Sequence, residues 1–183
     1  MQHRFLAQLS AALVARDVAV LRFQFPFMQA GSKRTDPPAV AQETVRAAVA
    51  EAGRRWPGLP LFAGGKSFGG RMSSQAQAAQ PLAGVRGLVF VGFPLHPAGR
   101  PGTERARHLA EVAVPLLFLQ GTRDALAELP LVREVTGGLG ARATLHVVDG
   151  ADHGFDVLVR SGRTGAQVLD ELASTAAAWM ARG

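Results

Sequence analysis

The chain has no cysteine and no tyrosine, two tryptophans, and only two lysines, Lys33 and Lys66. Without cysteine there is no disulfide framework, no thiol nucleophile and no thiolate metal site. A cytoplasmic location is the default expectation. No apolar run approaches the ~20 residues of a membrane span. The N-terminal stretch MQHRFLAQLSAALVARD is broken by Gln8 and Ser10 and reads as an amphipathic helix, not a signal peptide. The net charge of +6 is carried by arginines scattered from Arg4 to Arg182. Nucleic-acid binding calls for clustered charge with interleaved aromatics, so neither nucleic acid nor a membrane is expected as a partner. No repeat, low-complexity tract or linker divides the chain, and 183 residues suit one domain, residues 1–183, with a substantial core.

What is present is a regular alternation of element types. Strand-like runs occur at Val18–Phe23, Leu59–Ala63, Val85–Val91, Pro115–Gln120 and Ala143–Val148. Helical spacing occurs at Ala39–Trp56, Arg71–Gln80, Thr103–Val112, Ala127–Leu139 and Gly165–Met180, with Asp36-Pro37-Pro38 as a start signal before the first of these. Nearly all-apolar strands alternating with helices predict an α/β fold, a mostly parallel sheet covered on both faces. Right-handed crossovers put every strand C-terminus on one edge, where ligands bind. Residues 29–38 form a polar loop.

On that edge the most informative feature is Gly65-Lys66-Ser67-Phe68-Gly69, between a strand-like and a helix-like run. A serine between two glycines at a strand-to-helix turn is the pattern of a nucleophile elbow. The flanking glycines let strand and helix pass closely, and the hydroxyl stands at the positive end of the helix. A phosphate-binding loop would share Gly65-Lys66-Ser67 but needs glycine where this chain has Pro60.

A serine nucleophile needs a general base and a carboxylate to orient it. In the order serine, acid, histidine, the candidates are Ser67, then Asp124 in Gln120-Gly121-Thr122-Arg123-Asp124, then His153 in Gly150-Ala151-Asp152-His153-Gly154-Phe155. Each follows its own strand. Asp124 can also be read as a helix cap. Asp152 reads as a loop support and His146 as structural. His96, after the third strand-like run, could line the site edge or form a structural turn. Arg71 could bind an acidic substrate, but pairing on the helix surface is the better reading. No metal and no organic cofactor is expected.

The segments LRFQFPFM (21–28), GGKSFGGRM (64–72), GFPLHP (92–97), LFLQGTRD (117–124), GADHGF (150–155) and SGRT (161–164) together resemble the small α/β-hydrolases related to dienelactone hydrolase. The match is nearest to bacterial hydrolases that share a domain with a scaffold subunit of a nuclear acetyltransferase complex. The resemblance implies an α/β-hydrolase fold with Ser67 as nucleophile, Asp124 as acid, His153 as base and the Phe68 amide as an oxyanion donor. It also implies a small-molecule ester, thioester or lactone substrate. Phe25, Phe27, Met28, Lys66 and His96 are expected near the pocket. Such domains normally begin further upstream, with a strand and a glycine-rich loop that supplies the second oxyanion amide. The expectation is therefore that the N-terminal strand is absent from this chain and that Met1 is internal to a longer gene product. The alternative function is a catalytically weak interaction module that keeps the fold.

Overall fold

The computed structural model describes residues 3–182. Four strands form one parallel sheet in the order β1-β2-β3-β4: β1 Leu61–Lys66, β2 Val85–Val91, β3 Leu116–Gly121 and β4 Ala143–Val148. Helices α1 (Arg4–Val14), α2 (Pro26–Gln29), α3 (Pro38–Arg55), α4 (Phe68–Ala79), α5 (Leu129–Leu139) and α6 (Gly165–Met180) surround it, with a 3₁₀ helix at Glu104–Glu111. β3 is buried along its whole length, as a central parallel strand must be.

The sheet separates two cores. On one face Phe90 and Phe118 pack with Met72 and Ala76 of α4, Val45 and Val49 of α3, and Val132 of α5. On the other, Leu117, Leu119 and Val91 meet Leu9 of α1 and Val168, Leu172 and Ala176 of α6. The neighbouring strands are matched residue by residue, with Phe90 opposite Phe118 and Phe118 opposite Leu145. Their edge-on ring contact at 4.9 Å fills the centre of the first core. α6 begins with a capping box, in which Thr164 and Gln167 satisfy each other's backbone amides.

One strand expectation fails. Residues 18–25 adopt neither helix nor strand and pair with no strand among the described residues. A β-rich apolar composition gives a strand only when a ladder partner lies alongside. Here an open groove lies between this segment and β1, lined by Leu21, Phe23, Trp56, Leu61 and Phe62. Pro26–Gln29 forms a short helix that no helical spacing announces, Glu104–Glu111 is 3₁₀ instead of α, and the remaining differences are shifts of end points. β1 continues through Gly64 and Gly65 to Lys66, so the strand delivers Ser67 directly.

Candidate functional site

Ser67 sits between β1 and α4 with φ 51° and ψ −115°, a strained conformation for a residue with a Cβ. Its amide donates to the Val91 carbonyl of β2 at 3.1 Å, which pins the turn to the sheet. A Cβ on Gly70 would lie 2.7 Å from the Gly65 carbonyl oxygen, so α4 can leave β1 at this angle only with glycine there. Phe68 opens α4, and as its first residue has no intrahelical acceptor for its N–H. That amide is therefore available next to the serine hydroxyl.

Asp124 follows β3 and is 3% exposed. Its Oδ1 accepts the Leu126 amide at 2.8 Å, and its Oδ2 accepts from the Gln120 side-chain amide at 2.6 Å. The same Oδ2 lies 2.7 Å from His153 Nδ1. His153 Nε2 lies 2.8 Å from Ser67 Oγ. An ionised carboxylate only accepts, so Nδ1 carries the proton and Nε2 is left to accept from the serine hydroxyl. The sequence spacing between these groups, 86 residues for Ser67–His153 and 29 for Asp124–His153, is closed by the parallel sheet.

The loop carrying His153 is built by backbone bonds. Asp152 Oδ1 accepts the Gly154 and Asp156 amides, and the Asp152 amide donates to the Asp156 carbonyl. The Arg123 amide donates to the Ala151 carbonyl, tying this loop to the Asp124 loop. A Cβ on Gly121 would lie 2.3 Å from the Ala151 oxygen, so the two loops can approach only at a glycine. Asp152 thus supports the loop, and His146 pairs with Glu171 at 2.7 Å. Asp124 meets the histidine and accepts a turn amide, but it is not the helix cap also considered for it, because α5 begins only at Leu129 with Glu128 at its N-cap.

The remaining candidate pocket residues are distributed unevenly. Phe25 and Phe27 pack against the Phe68 ring, with ring centres 5.1 and 5.8 Å away. Met28 is 40% exposed on the short helix α2. Lys66 turns to the opposite face, donates to the His153 carbonyl, and lies 5.0 Å and 5.1 Å from the Phe5 and Phe155 ring centres. Burial lowers its proton affinity, opposed by Asp124, Asp152 and Asp156. His96 is 1% exposed, with Nδ1 2.9 Å from the Pro97 carbonyl oxygen and Nε2 unpartnered. Among the described residues Arg71 makes no ion pair. It folds over the Phe68 ring, at 5.8 Å, because a helical side chain leans toward the preceding turn.

Gln120 is the participant to which residue reading gave no role. The signal was available: one amide side chain at the end of an otherwise apolar buried strand, four residues before Asp124. Among the described residues no group of three or more histidines, aspartates or glutamates could hold a metal ion, and no helix is long and apolar enough to cross a membrane.

A family model described as an alpha/beta hydrolase domain matches residues 1–181. Among solved structures, an alpha-beta serine hydrolase homologue from Coxiella burnetii is 22% identical, with a TM-score of 0.75 over 96% of this chain and 77% of that one. An α/β serine hydrolase without lid from Xanthomonas campestris is 23% identical, with a TM-score of 0.73 over 98% of this chain and 75% of that one. The esterase domain of a Rhodothermus marinus protein is 18% identical, with a TM-score of 0.71 over 97% and 79%. At these identities the structural likeness speaks to fold. The family match spans nearly the whole chain, and the chain belongs to the alpha/beta hydrolase domain family.

Proposed function

We propose that the protein is a serine hydrolase of the dienelactone-hydrolase-like kind, acting on an ester, thioester or lactone through an acyl-enzyme. The observation that carries this reading is the continuous hydrogen-bonded line from Ser67 Oγ through His153 to Asp124. Ser67 attacks the carbonyl carbon while His153 Nε2 takes the hydroxyl proton. Asp124 holds the ring in the correct tautomer and stabilises the imidazolium. The Phe68 amide donates to the developing oxyanion, and losing one such donor typically costs about 10²–10³ in rate. His153 then gives its proton to the leaving oxygen or sulfur. Water, deprotonated by the same imidazole, releases the acid and restores Ser67. The reading needs neither metal nor organic cofactor.

A fluorophosphonate probe tests the nucleophile. Wild-type protein should be labelled at Ser67, and Ser67→Ala should lose both the label and turnover of a short p-nitrophenyl ester. Equal labelling of the two proteins would overturn the assignment. A labelled protein without turnover would favour the interaction-module alternative.

A further inference from the structure

Ser67 is held with φ 51° and ψ −115°, and such strain persists only where the surroundings over-determine it. An oxyanion donor must lie about 2.7–3.1 Å from the oxygen it stabilises, so a small turn of the Ser67–Phe68 peptide takes the Phe68 amide out of reach.

The side chain of Phe68 is held by three neighbours. Phe25 meets its ring edge-on at 5.1 Å, Phe27 edge-on at 5.8 Å, and the Arg71 guanidinium lies 5.8 Å from its centre. Phe25 also lies against the next residue, since a Cβ on Gly69 would be 3.9 Å from its ring. Phe23 meets Phe25 edge-on at 5.3 Å, and Phe27 stacks on Phe25 at 6.3 Å. The alternate residues 23, 25 and 27 thus form one aromatic block against the first turn of α4. Phe25 is 6% exposed, so this packing leaves it little surface for a substrate.

The block depends on α2, a helix of four residues and too short to be stable alone. Its support comes from the loop that follows. The Phe27 amide donates to Asp36 Oδ2 at 3.1 Å, and the Phe27 carbonyl accepts the Ser32 amide at 2.9 Å. Asp36 stands directly before Pro37, the N-cap of α3, and Pro38, its first residue, whose fixed φ angles stiffen the chain there. A line of contacts therefore runs from the start of α3 through Asp36 and Phe27 to Phe68. The 3₁₀ helix braces α4 in addition. Ser74 Oγ donates to the Arg71 carbonyl at 2.9 Å, so His108 Nε2 is the donor in its 2.7 Å contact with Ser74 Oγ. Burial and the Arg71 charge push His108 down to about 4, so at neutral pH it makes this bond as a neutral ring.

We propose that Phe25, Phe27 and Asp36 are positioning residues that hold the Phe68 amide where the oxyanion forms. The proposal rests on Ser67 acting as the nucleophile. It takes Phe25 and Phe27 out of the set of substrate contacts, and it gives the polar loop 29–38 a part in the chemistry through Asp36.

Kinetics on one short p-nitrophenyl ester, well below each variant's Tm, separate positioning from folding. Phe27→Ala should lower kcat by about tenfold or more and change KM by less than about threefold. Asp36→Ala should do the same more weakly. Asp36→Asn should recover most of that loss, because an amide oxygen also accepts the Phe27 N–H. A lower Tm with kcat unchanged would mean packing alone, and a loss confined to KM would mean a substrate contact; either overturns the proposal. A second measurement does not depend on turnover. In NMR spectra the Ser67, Phe68 and Gly69 amides should each give one sharp signal in the wild type and broadened or doubled signals in Phe27→Ala, with Asp36→Asn like the wild type. Unchanged signals in Phe27→Ala would overturn the proposal whatever the esters show. Altered signals in a protein that neither takes the fluorophosphonate label nor turns over an ester would uphold the hold on the Phe68 amide and sink the hydrolase reading.

Discussion

Asp124 is held by three donors: the Leu126 amide, the Gln120 side chain and His153. A buried carboxylate needs this many, because each missing hydrogen bond to a charged group costs about 1.5–3 kcal/mol. Gln120 supplies one at the expense of its own Oε1, which is buried without a partner. Such a cost is tolerated where a group is positioned for function. Gln120→Leu should therefore lower kcat by about tenfold with little change in KM, since the side chain positions Asp124 and does not meet substrate. Gln120→Glu, whose carboxyl beside Asp124 is kept protonated by like-charge repulsion, should recover much of the loss by donating an O–H. Steady-state kinetics on one ester decides it, and equal loss in both variants would show a packing role alone. His108 carries a different prediction. Its proton affinity is depressed in the folded protein, to about 4 from an ordinary 6.5. Between those values the unfolded chain binds a proton that the folded chain does not, so stability falls as pH falls through that window. The loss should be roughly 1–2 kcal/mol after discounting for the partly solvated ring. His108→Gln, which keeps a donor for Ser74, should flatten the slope of unfolding free energy against pH between about 6.5 and 4. Residue types and order single out Ser67, Asp124 and His153, and the fold brings these three side chains into one hydrogen-bonded line. Direction was not legible: Lys66, adjacent to Ser67, points to the other side of the sheet, because successive strand side chains alternate faces.

At the scale of elements, the alternation of apolar strands and amphipathic helices was legible because each parallel strand is buried on both faces and each helix on one. The segment 18–23 shows where that reading stops. Its composition is as strand-like as that of β2, but strand formation is a property of a pair, and composition cannot say whether a partner is alongside. The extent of β1 was misjudged for a related reason. Gly64 and Gly65 look like turn residues, yet Gly64 is a strand residue whose added Cβ would lie 2.0 Å from the Val89 oxygen of β2. Glycine here allows the close approach of two strands as they enter the elbow. The unpaired segment has a measurable consequence. Among the described residues, no backbone hydrogen bond protects the amides of Ala19, Val20 and Leu21, whereas Phe90 and Phe118 lie in the central ladder. Native-state hydrogen exchange should find the first group exchanging orders of magnitude faster than the second. Comparable protection would mean that a further strand lies against the segment in solution.

For the molecule as a whole, the question is how helix α1, at one end of the sequence, bears on the loop that carries His153 near the other. Phe5 of α1 stacks on Phe155 at 5.7 Å, with the rings 17° from parallel. Lys66 leaves the end of β1, lies against both rings, and donates to the His153 carbonyl. Three distant stretches of chain therefore meet beneath His153, on the face of the sheet opposite Arg71. A cation over an aromatic face is worth about 0.5–2 kcal/mol, more when shielded from water. Lys66→Met keeps the apolar stem but removes the charge and the donor. It should lower Tm by roughly 2–4 °C per kcal/mol lost, the scaling expected at this chain length, and should lower kcat more than it changes KM. Phe5→Ala should do the same more weakly, through loss of one wall of the lysine site. Because the two side chains share one contact, their effects should not add. A double-mutant cycle on both Tm and kcat should return a coupling of about 0.5–3 kcal/mol, whereas independent sites add within about 0.3–0.5 kcal/mol. Additive losses would mean that α1 packs against the sheet without bearing on His153. Coupling in kcat as well as Tm would show that the N-terminal helix helps hold His153 at hydrogen-bond distance from Ser67.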